Sequence, residues 1–392
     1  MRRGTGRARW TGRAALAAAI AAVVMAGVAV RPVEATPAVR HLVAFETEDA
    51  AGAARARLER FGVPVEPAGI TGLAVTAPLP TVRALAGVVR VGVDHVMRAA
   101  EVPNDPCFEG PCTPADQSDL DLIGAPRAWN VAKGDGVTIA ILDSGVDFSH
   151  PDLAAKNAGF LDYTDEGPTP GTHGTKVGGI AAAVTNNGVG IAGVGWNSPI
   201  LSIKVLRDDD GAGWESWVAS GIDEAVRRGA RVINLSLAAF EHEPTVLGAA
   251  VARAVNARVV VVAAAGNQQG AEPLTRPTYP ASLPGVVAVA ASDNNTLASF
   301  SHRGGWVDIA APGVGLMTTE PGGGYDDATG TSASAPVVAG AAALLLQQGI
   351  DTTGDDIAAR LHRTGVQVES GGLRRLQLDD ALAGGVPYTP AW

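Results

Sequence analysis

Short apolar runs alternate with longer mixed stretches from about residue 119 to the end of the chain. Five of these runs are bounded by turn-forming residues, at 137–142, 200–205, 232–237, 259–264 and 286–290. A strand that is apolar on both sides lies in a sheet covered on both faces, as in parallel sheets whose crossovers are helices. The pattern therefore predicts an α/β domain over 119–392, built on a doubly wound parallel sheet with flanking helices.

Residues 40–95 follow a different pattern. The sequence predicts strand, helix, two strands, helix and strand, at 41–45, 49–61, 63–67, 70–76, 80–86 and 88–93. This order is that of a split β-α-β sandwich, which is a small ferredoxin-like α+β domain. Four prolines then follow within 99–118, and they predict a linker between the two domains.

The N-terminus has the layout of a targeting segment. Several arginines precede an Ala/Val-rich run at 14–30, and small residues follow at 33–35. This layout predicts a signal peptide over 1–35, cleaved after Ala35, and therefore secretion. A single uncleaved anchor helix is the alternative, because the apolar run is nearly long enough to span a bilayer.

Composition narrows the possible partners. The 46% hydrophobic content is enough for a large core and argues against disorder. The net charge of −10, with no basic cluster beyond the N-terminus, argues against a nucleic-acid partner. Cys107 and Cys112 lack the neighbours that a zinc site or redox motif requires, so a small surface disulfide is expected; two free thiols are the alternative.

Three polar residues stand at the ends of predicted elements. Asp143 ends the first apolar run, His173 lies among glycines where a small-residue helix begins, and Ser332 opens a long apolar helix. Taken singly, each has an ordinary structural explanation: a salt bridge or cap for the Asp, a structural role for the His, and a helix N-cap for the Ser. Together they supply a nucleophile, a base and an acid that orients the base.

The order of these residues along the chain is informative. Asp, His, Ser differs from the order of hydrolases with a nucleophile elbow and from the chymotrypsin order. Asn267 follows the run 259–264 and offers a side-chain amide that could stabilise an oxyanion. A turn residue beside Gly266 is the alternative explanation for Asn267.

With these motifs in order and at similar spacing, residues 119–385 resemble the catalytic domain of the subtilisin family. The resemblance implies that Ser332 is the nucleophile, His173 the general base, Asp143 its orienter and Asn267 an oxyanion donor. It also implies that 36–98 is the family's inhibitory propeptide and that 99–118 contains the processing region. An unrelated accessory domain is the alternative for 36–98.

Three residues depart from the family pattern, although none removes a catalytic group. Lys176 stands where the family usually has His or a small residue, Ala333 where Met is common, and Val337 where His is common. The serine motif also resembles those of sedolisins and kexin-like convertases. Sedolisins should have Asp in place of Asn267 and lack the His-Gly-Thr motif at His173, and kexin-like enzymes usually carry a further β-domain after the protease.

The resemblance implies two secondary sites. In calcium-binding subtilisins, segments equivalent to 143–153 and 185–194 hold one ion, which here would give a structural calcium site with the side chains of Asp152 and Asn187 and the carbonyls of Thr185, Val189 and Ile191. A tight loop without metal is the alternative. The primary specificity pocket would be lined by Ser236, Leu237, Ala238 and Thr278. Ala238 and Thr278 replace family glycines and so predict a shallower pocket; backbone shifts that absorb the extra atoms are the alternative.

The sequence therefore predicts a secreted, monomeric serine endopeptidase that acts on protein or peptide substrates through an acyl-enzyme on Ser332. Its own propeptide is the expected intramolecular inhibitor, and no cofactor is expected for catalysis. An inactive scaffold on the same fold and a different hydrolase such as an esterase are the alternatives. Degenerate relatives usually lose a catalytic residue, whereas this chain keeps Asp143, His173 and Ser332.

Overall fold

The computed structural model describes residues 40–93, 102–239, 244–268, 273–349, 352–368 and 372–383. The chain divides into two compact units, the first reaching residue 97 and the second beginning at residue 98. The expected signal peptide at 1–35 lies outside the described residues. Within the described ranges, no helix combines the length and apolar character that crossing a membrane requires.

The smaller unit has the predicted ferredoxin-like topology. Its elements are β1 (Arg40–Phe45), α1 (Glu48–Arg60), β2 (Val65–Pro67), β3 (Gly72–Thr76), α2 (Leu79–Arg83) and β4 (Val88–Val93). The strands pair antiparallel in the order β2-β3-β1-β4. Thr47 caps α1 because its hydroxyl accepts a hydrogen bond from the Ala50 N–H (3.2 Å).

The larger unit contains helices and strands in alternation. Its helices are α3 (Pro106–Glu109), α4 (Ser118–Leu122), α5 (Ala125–Trp129), α6 (Thr172–Ala182), α7 (Glu215–Arg227), α8 (Val246–Asn256), α9 (Thr331–Gln348), α10 (Gly354–Thr364) and α11 (Leu378–Leu382). Its strands are β5 (Ile139–Asp143), β6 (Asn157–Asp162), β7 (Ile200–Lys204), β8 (Val232–Leu235), β9 (Val260–Ala264), β10 (Val286–Asp293), β11 (Thr296–Leu297), β12 (Ile309–Pro312), β13 (Leu316–Glu320), β14 (Gly324–Ala328), β15 (Val366–Gln367) and β16 (Arg374–Arg375).

One sheet organises this unit, with strand order β15-β16-β12-β10-β9-β8-β5-β7-β6 and β11 paired beside β10. All pairs from β6 to β16 along this path are parallel. The five strands predicted from apolar runs are β5, β7, β8, β9 and β10, and the predicted doubly wound sheet is confirmed. The chain builds the sheet outwards in both directions from β5, so the carboxyl end of β5 is a topological switch point where sites form.

Helices cover both faces of the sheet, which explains why the strands are apolar on both sides. Side chains of Ile139 and Ile141 join the cluster that contains α6 and α9. The intervening Ala140 and Leu142 join the cluster that contains α7 and α8. This alternation follows from the two-residue period of a strand.

Residues 102–118 differ from the expected linker. Asp105 is fully buried, and its carboxylate accepts hydrogen bonds from the main-chain N–H groups of Asn186 (2.7 Å) and Asn187 (3.1 Å). The Cys107 N–H donates to the Gly190 carbonyl (2.9 Å). Prolines interrupt regular structure here, but side-chain and main-chain hydrogen bonds fix the segment onto the larger unit, so this part is not a free connection.

The expected disulfide between Cys107 and Cys112 is present, with an S–S distance of 2.02 Å. Its position differs from the expected surface location, because Cys107 is only 4% exposed. Cys107 packs in a small apolar cluster with Ala183, Ile191 and Met317. The disulfide therefore belongs to the packed edge of the larger unit.

Close packing between α9 and the loop after α6 gives a test of the fold. A Cβ at Gly340 would lie 2.7 Å from the Val194 Cβ and 2.9 Å from the Ala181 carbonyl oxygen. Gly340→Ala is expected to lower the free energy of unfolding by about 1–3 kcal/mol, because α9 must move away from Val194 and Ala181 to make room for the added methyl group. Urea unfolding in a Ser332→Ala background, which excludes self-cleavage, measures the change.

Gly248 in α8 is the matched control, because its nearest atom to an added Cβ lies 3.9 Å away. Gly248→Ala is expected to raise the free energy of unfolding by about 0.5–1 kcal/mol through the better helix propensity of Ala. Equal effects of the two substitutions would contradict the packing described here.

Candidate active site

Asp143 is the last residue of β5 and is fully buried. Its Oδ1 accepts hydrogen bonds from the Ser144 N–H (2.7 Å) and from His173 Nδ1 (2.8 Å). The carboxylate therefore fixes the imidazole so that Nδ1 carries the proton and Nε2 is left as the acceptor.

His173 is the second residue of α6, and glycine lets this helix approach β5 closely. A Cβ at Gly174 would lie 2.6 Å from the Gly145 carbonyl oxygen and 2.8 Å from its nitrogen. The negative charge of Asp143 raises the pKa of His173, and the charge of Asp208 acts in the same direction. Desolvation and the charge of Lys176 act to lower this pKa. The net result is a pKa above the ordinary value for histidine.

Ser332 lies in the first turn of α9, directly after Thr331. Main-chain N–H groups in a first turn have no carbonyl partner within the helix, so the Ser332 N–H is available to a bound group. The hydroxyl of Ser236 donates to the Ser332 carbonyl (2.8 Å), which ties the helix start to the end of β8.

Asn267 lies beside the same turn with its amide orientation fixed. Its Oδ1 accepts from the Thr331 N–H (2.9 Å) and from the Thr331 hydroxyl (3.1 Å), so Nδ2 is the free end of the amide. A Cβ built on Gly330 would lie 3.1 Å from both Asn267 Nδ2 and Ser332 Oγ. Gly330 therefore leaves open a space that the amide nitrogen and the hydroxyl oxygen both face.

Two cavities meet at this point. A small one of about 180 Å³ is lined by His173, Asn267 and Ser332 together with Ser236, Leu237 and Ala238. A larger cleft of about 920 Å³ continues from His173 along the same 236–238 segment to Asp208 and Tyr279. The structure thus places three of the four expected pocket residues in contact with the cavity beside Ser332.

Thr278 does not fit the expected pocket wall. Its side chain is fully buried, and its hydroxyl donates to the Ala265 carbonyl (2.8 Å). It is not among the residues that line either cavity. The Thr278 side chain is therefore buried behind the pocket, where it makes this hydrogen bond, and does not fill the cavity. Only Ala238 remains as an argument for a shallower pocket.

The three departures from the family pattern lie around the site. Lys176 donates to the carboxylate of Asp326 and to the Asp327 carbonyl (3.1 Å), which ties α6 to the β13–β14 hairpin. Ala333 lines a third cavity of about 200 Å³, which His173, Lys176 and Ser332 also line. Val337 is buried in the core on α9. None of them displaces Asp143, His173 or Ser332.

The expected calcium ligands Asp152 and Asn187 are neighbours in the structure. Asn187 Nδ2 donates to Asp152 Oδ1 (2.8 Å), and Asp152 Oδ2 accepts from the Ile191 N–H (2.9 Å) and the Tyr325 hydroxyl (2.8 Å). Burial raises the pKa of Asp152, and these hydrogen bonds oppose the rise. Within the described ranges, no three His, Cys, Asp or Glu side chains are grouped so that they could hold a metal.

Sequence reasoning missed several residues that the structure brings to these sites. Asp105 adds a second buried carboxylate near Asp152, and Asp208 lies close enough to His173 to affect its pKa. Both lie in segments without a recognisable motif. Thr331 could have been identified, because it directly precedes Ser332 and so must lie at the helix start.

The arrangement can perform acyl transfer. A hydroxyl, an imidazole held by a buried carboxylate, and an amide N–H surround one cavity, and these are the groups that such a reaction needs.

Comparison with known proteins gives the same assignment. Residues 134–377 match the Subtilase family. Thermitase from Thermoactinomyces vulgaris is 43% identical over 274 residues, which span 69% of this chain and 94% of thermitase. Subtilisin from Bacillus pumilus is 39% identical over 240 residues, which span 60% of this chain and 86% of that protein. A protease structure from Pseudoalteromonas arctica has a TM-score of 0.63 at 29% identity, covering 73% of this chain and all of that one. The chain is therefore a serine endopeptidase of the subtilase family.

Proposed function

We propose that this protein is a secreted endopeptidase that cleaves peptide bonds through an acyl-enzyme on Ser332, with His173 as general base and Asp143 as its orienter. The observation that carries the proposal is the 2.8 Å hydrogen bond between His173 Nδ1 and the buried Asp143, in a cavity shared with Ser332 and Asn267. Subtilases need no cofactor for this chemistry.

In the first half of the reaction, Ser332 Oγ attacks the carbonyl carbon of the scissile bond while its proton passes to His173 Nε2. Asp143 stays ionised and stabilises the imidazolium that forms. The negative charge on the substrate oxygen is stabilised by Asn267 Nδ2, which faces the space in front of Gly330, and by the Ser332 N–H of the first turn of α9.

Collapse of the tetrahedral intermediate breaks the C–N bond, and His173 gives its proton to the leaving amine. The acyl group remains on Ser332. A water molecule then attacks the ester with His173 again as base, and the second product leaves as a carboxylic acid while Ser332 regains its proton.

We further propose a precursor organisation. The basic and apolar sequence of 1–35 supports export, and the ferredoxin-like unit of 40–93 supports a propeptide that inhibits the enzyme until it is cleaved off. Because Asp105 and Cys107 are held by the larger unit, the cleavage is expected upstream of residue 102.

A structural calcium ion is part of the same proposal. Asp152 and Asp105 are buried carboxylates that both accept hydrogen bonds from Asn187, and the resemblance to calcium-binding subtilisins adds the main-chain carbonyls of Thr185, Val189 and Ile191 as ligands. An oxygen-rich set of this kind fits a hard cation, provided that the Asn187 amide turns its oxygen towards Asp152. Bound there, the ion would neutralise both carboxylates and stabilise the loop; it takes no part in the reaction.

Replacement of the nucleophile tests the proposed function. Ser332→Ala is expected to abolish casein hydrolysis and to leave the pro-region attached, because no other hydroxyl is paired with His173 in the proposal. Casein assays and N-terminal sequencing of secreted protein measure both effects.

Ser334→Ala is the matched control on the same helix. Its hydroxyl is bonded to the Ala311 carbonyl (3.0 Å) and has no role in the proposed chemistry, so the variant should retain hydrolysis and processing. Substantial proteolysis by purified Ser332→Ala would contradict the assignment.

The proposed base predicts the pH dependence. Only neutral imidazole accepts the Ser332 proton, so kcat/KM should fall as the pH drops through the pKa of His173, which Asp143 raises above about 6.5. Asp208→Asn removes a charge that raises this pKa, so the acid limb should move to lower pH by a few tenths of a unit. Rates at low ionic strength across pH 5–9 measure the shift.

Asp223→Asn makes the same change in net charge at a surface pair with Arg253 and should leave the acid limb in place. A maximum near pH 3–4, where carboxylates titrate, would instead favour a sedolisin-like mechanism and contradict His173 as base.

The 236–238 segment predicts substrate preference. Ala238 adds a methyl group to the cavity wall beside Ser332, so we propose a preference for Ala, Val or Leu over Phe or Tyr on the acyl side of the cut. Ala238→Gly should raise kcat/KM for a Phe peptide about tenfold relative to the Ala peptide. Highest kcat/KM for Phe or Tyr in the wild type would show that the pocket is not shallow.

A further inference from the structure

Lys204 is a buried charge that the proposed chemistry does not use. It ends β7, directly opposite Asp143 in the parallel register with β5, and its side chain is fully buried. Its Nζ donates to the Ser144 carbonyl (2.9 Å) and lies 2.9 Å from Glu166 Oε2. A buried ammonium is costly unless it is paired, and an apolar pair of similar volume is often at least as stable. Stability alone therefore does not account for Lys204.

Two hydrogen-bonded arms lead from Lys204 to the start of α6. In the first arm, the Ser144 carbonyl accepts the hydrogen bond from Lys204, and the Ser144 hydroxyl accepts one from the Gly174 N–H (3.0 Å). In the second arm, Glu166 accepts the Asp208 N–H (3.0 Å), and Asp208 Oδ1 accepts the Thr172 N–H (2.8 Å).

These arms end on the residues on either side of His173. The N–H groups of Thr172 and Gly174 belong to the first turn of α6, where a helix offers no internal partner. The network supplies both partners from one ion pair, and the hydrogen bond from Lys204 also lowers the pKa of Glu166. The N–H groups that flank His173 are thus tied to an ion pair, Lys204 and Glu166, that lines neither of the two cavities beside Ser332.

We propose that Lys204 and Glu166 are positioning residues, which hold the first turn of α6 so that His173 is aligned with Ser332. This inference rests on the proposed function, since it assigns a task only if His173 is the base. A small displacement of a catalytic group lowers the chemical rate strongly and substrate affinity weakly.

The test compares Lys204→Met, Glu166→Ala, which removes the acceptor of the Asp208 N–H, and the double variant in the full chain with a peptide amide substrate. For both single variants we expect kcat to fall about tenfold or more and KM to stay within about twofold. The low-field proton resonance of His173 Nδ1 should shift, because its hydrogen bond to Asp143 changes. Glu166 is partly exposed, so Glu166→Ala decides the question if Lys204→Met does not fold.

The double variant separates positioning from stability. Each single variant leaves one partner uncompensated, whereas the double variant removes both charges and should recover thermal stability. Its kcat should nevertheless stay low, because the Ser144 carbonyl is still released. Recovery of kcat together with thermal stability would overturn the proposal.

Lys156→Met is the matched control. Lys156 is also a buried lysine, and it donates to the Trp196 carbonyl away from the cavity of Ser332. Its loss should leave the low-field resonance unchanged and kcat within about twofold. An equal loss of kcat in Lys156→Met and Lys204→Met would overturn the proposal, as would unchanged kcat in Glu166→Ala. Failure of the wild type to hydrolyse any peptide would instead reject the proposed function.

Discussion

The hydrogen bond between Asp143 and His173 is the interaction on which the site depends. It requires a buried carboxylate at the end of a strand and an imidazole that approaches it from the start of a helix. The sheet meets the first requirement because β5 is covered on both faces and ends at the switch point. Glycine meets the second, since a Cβ at Gly174 would lie 2.6 Å from the Gly145 carbonyl oxygen and would push the start of α6 away.

The same logic positions the other half of the site. The helix α9 packs beneath the sheet, and its first turn carries Ser332 to the rim next to Asn267. Gly330 keeps open the space that the hydroxyl and the amide share, while Ser236 and Thr331 hold the turn in place. Activity in this account comes from two helix starts held at fixed positions on one sheet edge. In our proposal, Lys204 and Glu166 support the start of α6 as Asn267 and Ser236 support the start of α9.

Sequence patterns predicted five buried strands of the sheet, which are continuous apolar runs, but not β12, which is also fully buried. Asp143 ends one of these runs and Asn267 follows another, whereas His173 and Ser332 stand in short motifs at helix starts. The strand β6 was not predicted because its residues are partly exposed and it has no apolar run. Proline content suggested a linker around Asp105, but long-range hydrogen bonds, which composition does not record, fix that segment.

The direction in which individual side chains point could not be predicted from the sequence either. Thr278 was expected in the pocket, yet its hydroxyl turns to the Ala265 carbonyl and the residue is buried behind it. Asp208 and Lys204 lie far along the chain from His173 and affect it only through the folded sheet. Pairing of this kind follows from strand order and register, which a single sequence does not give.

Covalent labelling tests the central claim most directly. A fluorophosphonate reacts only with a serine whose hydroxyl is activated by a base, so peptide mapping of the labelled protein reads out the site itself. The account predicts one adduct, on Ser332, that is lost in His173→Ala although the variant remains folded. An adduct on a different serine, or undiminished labelling of Ser332 in His173→Ala, would contradict it.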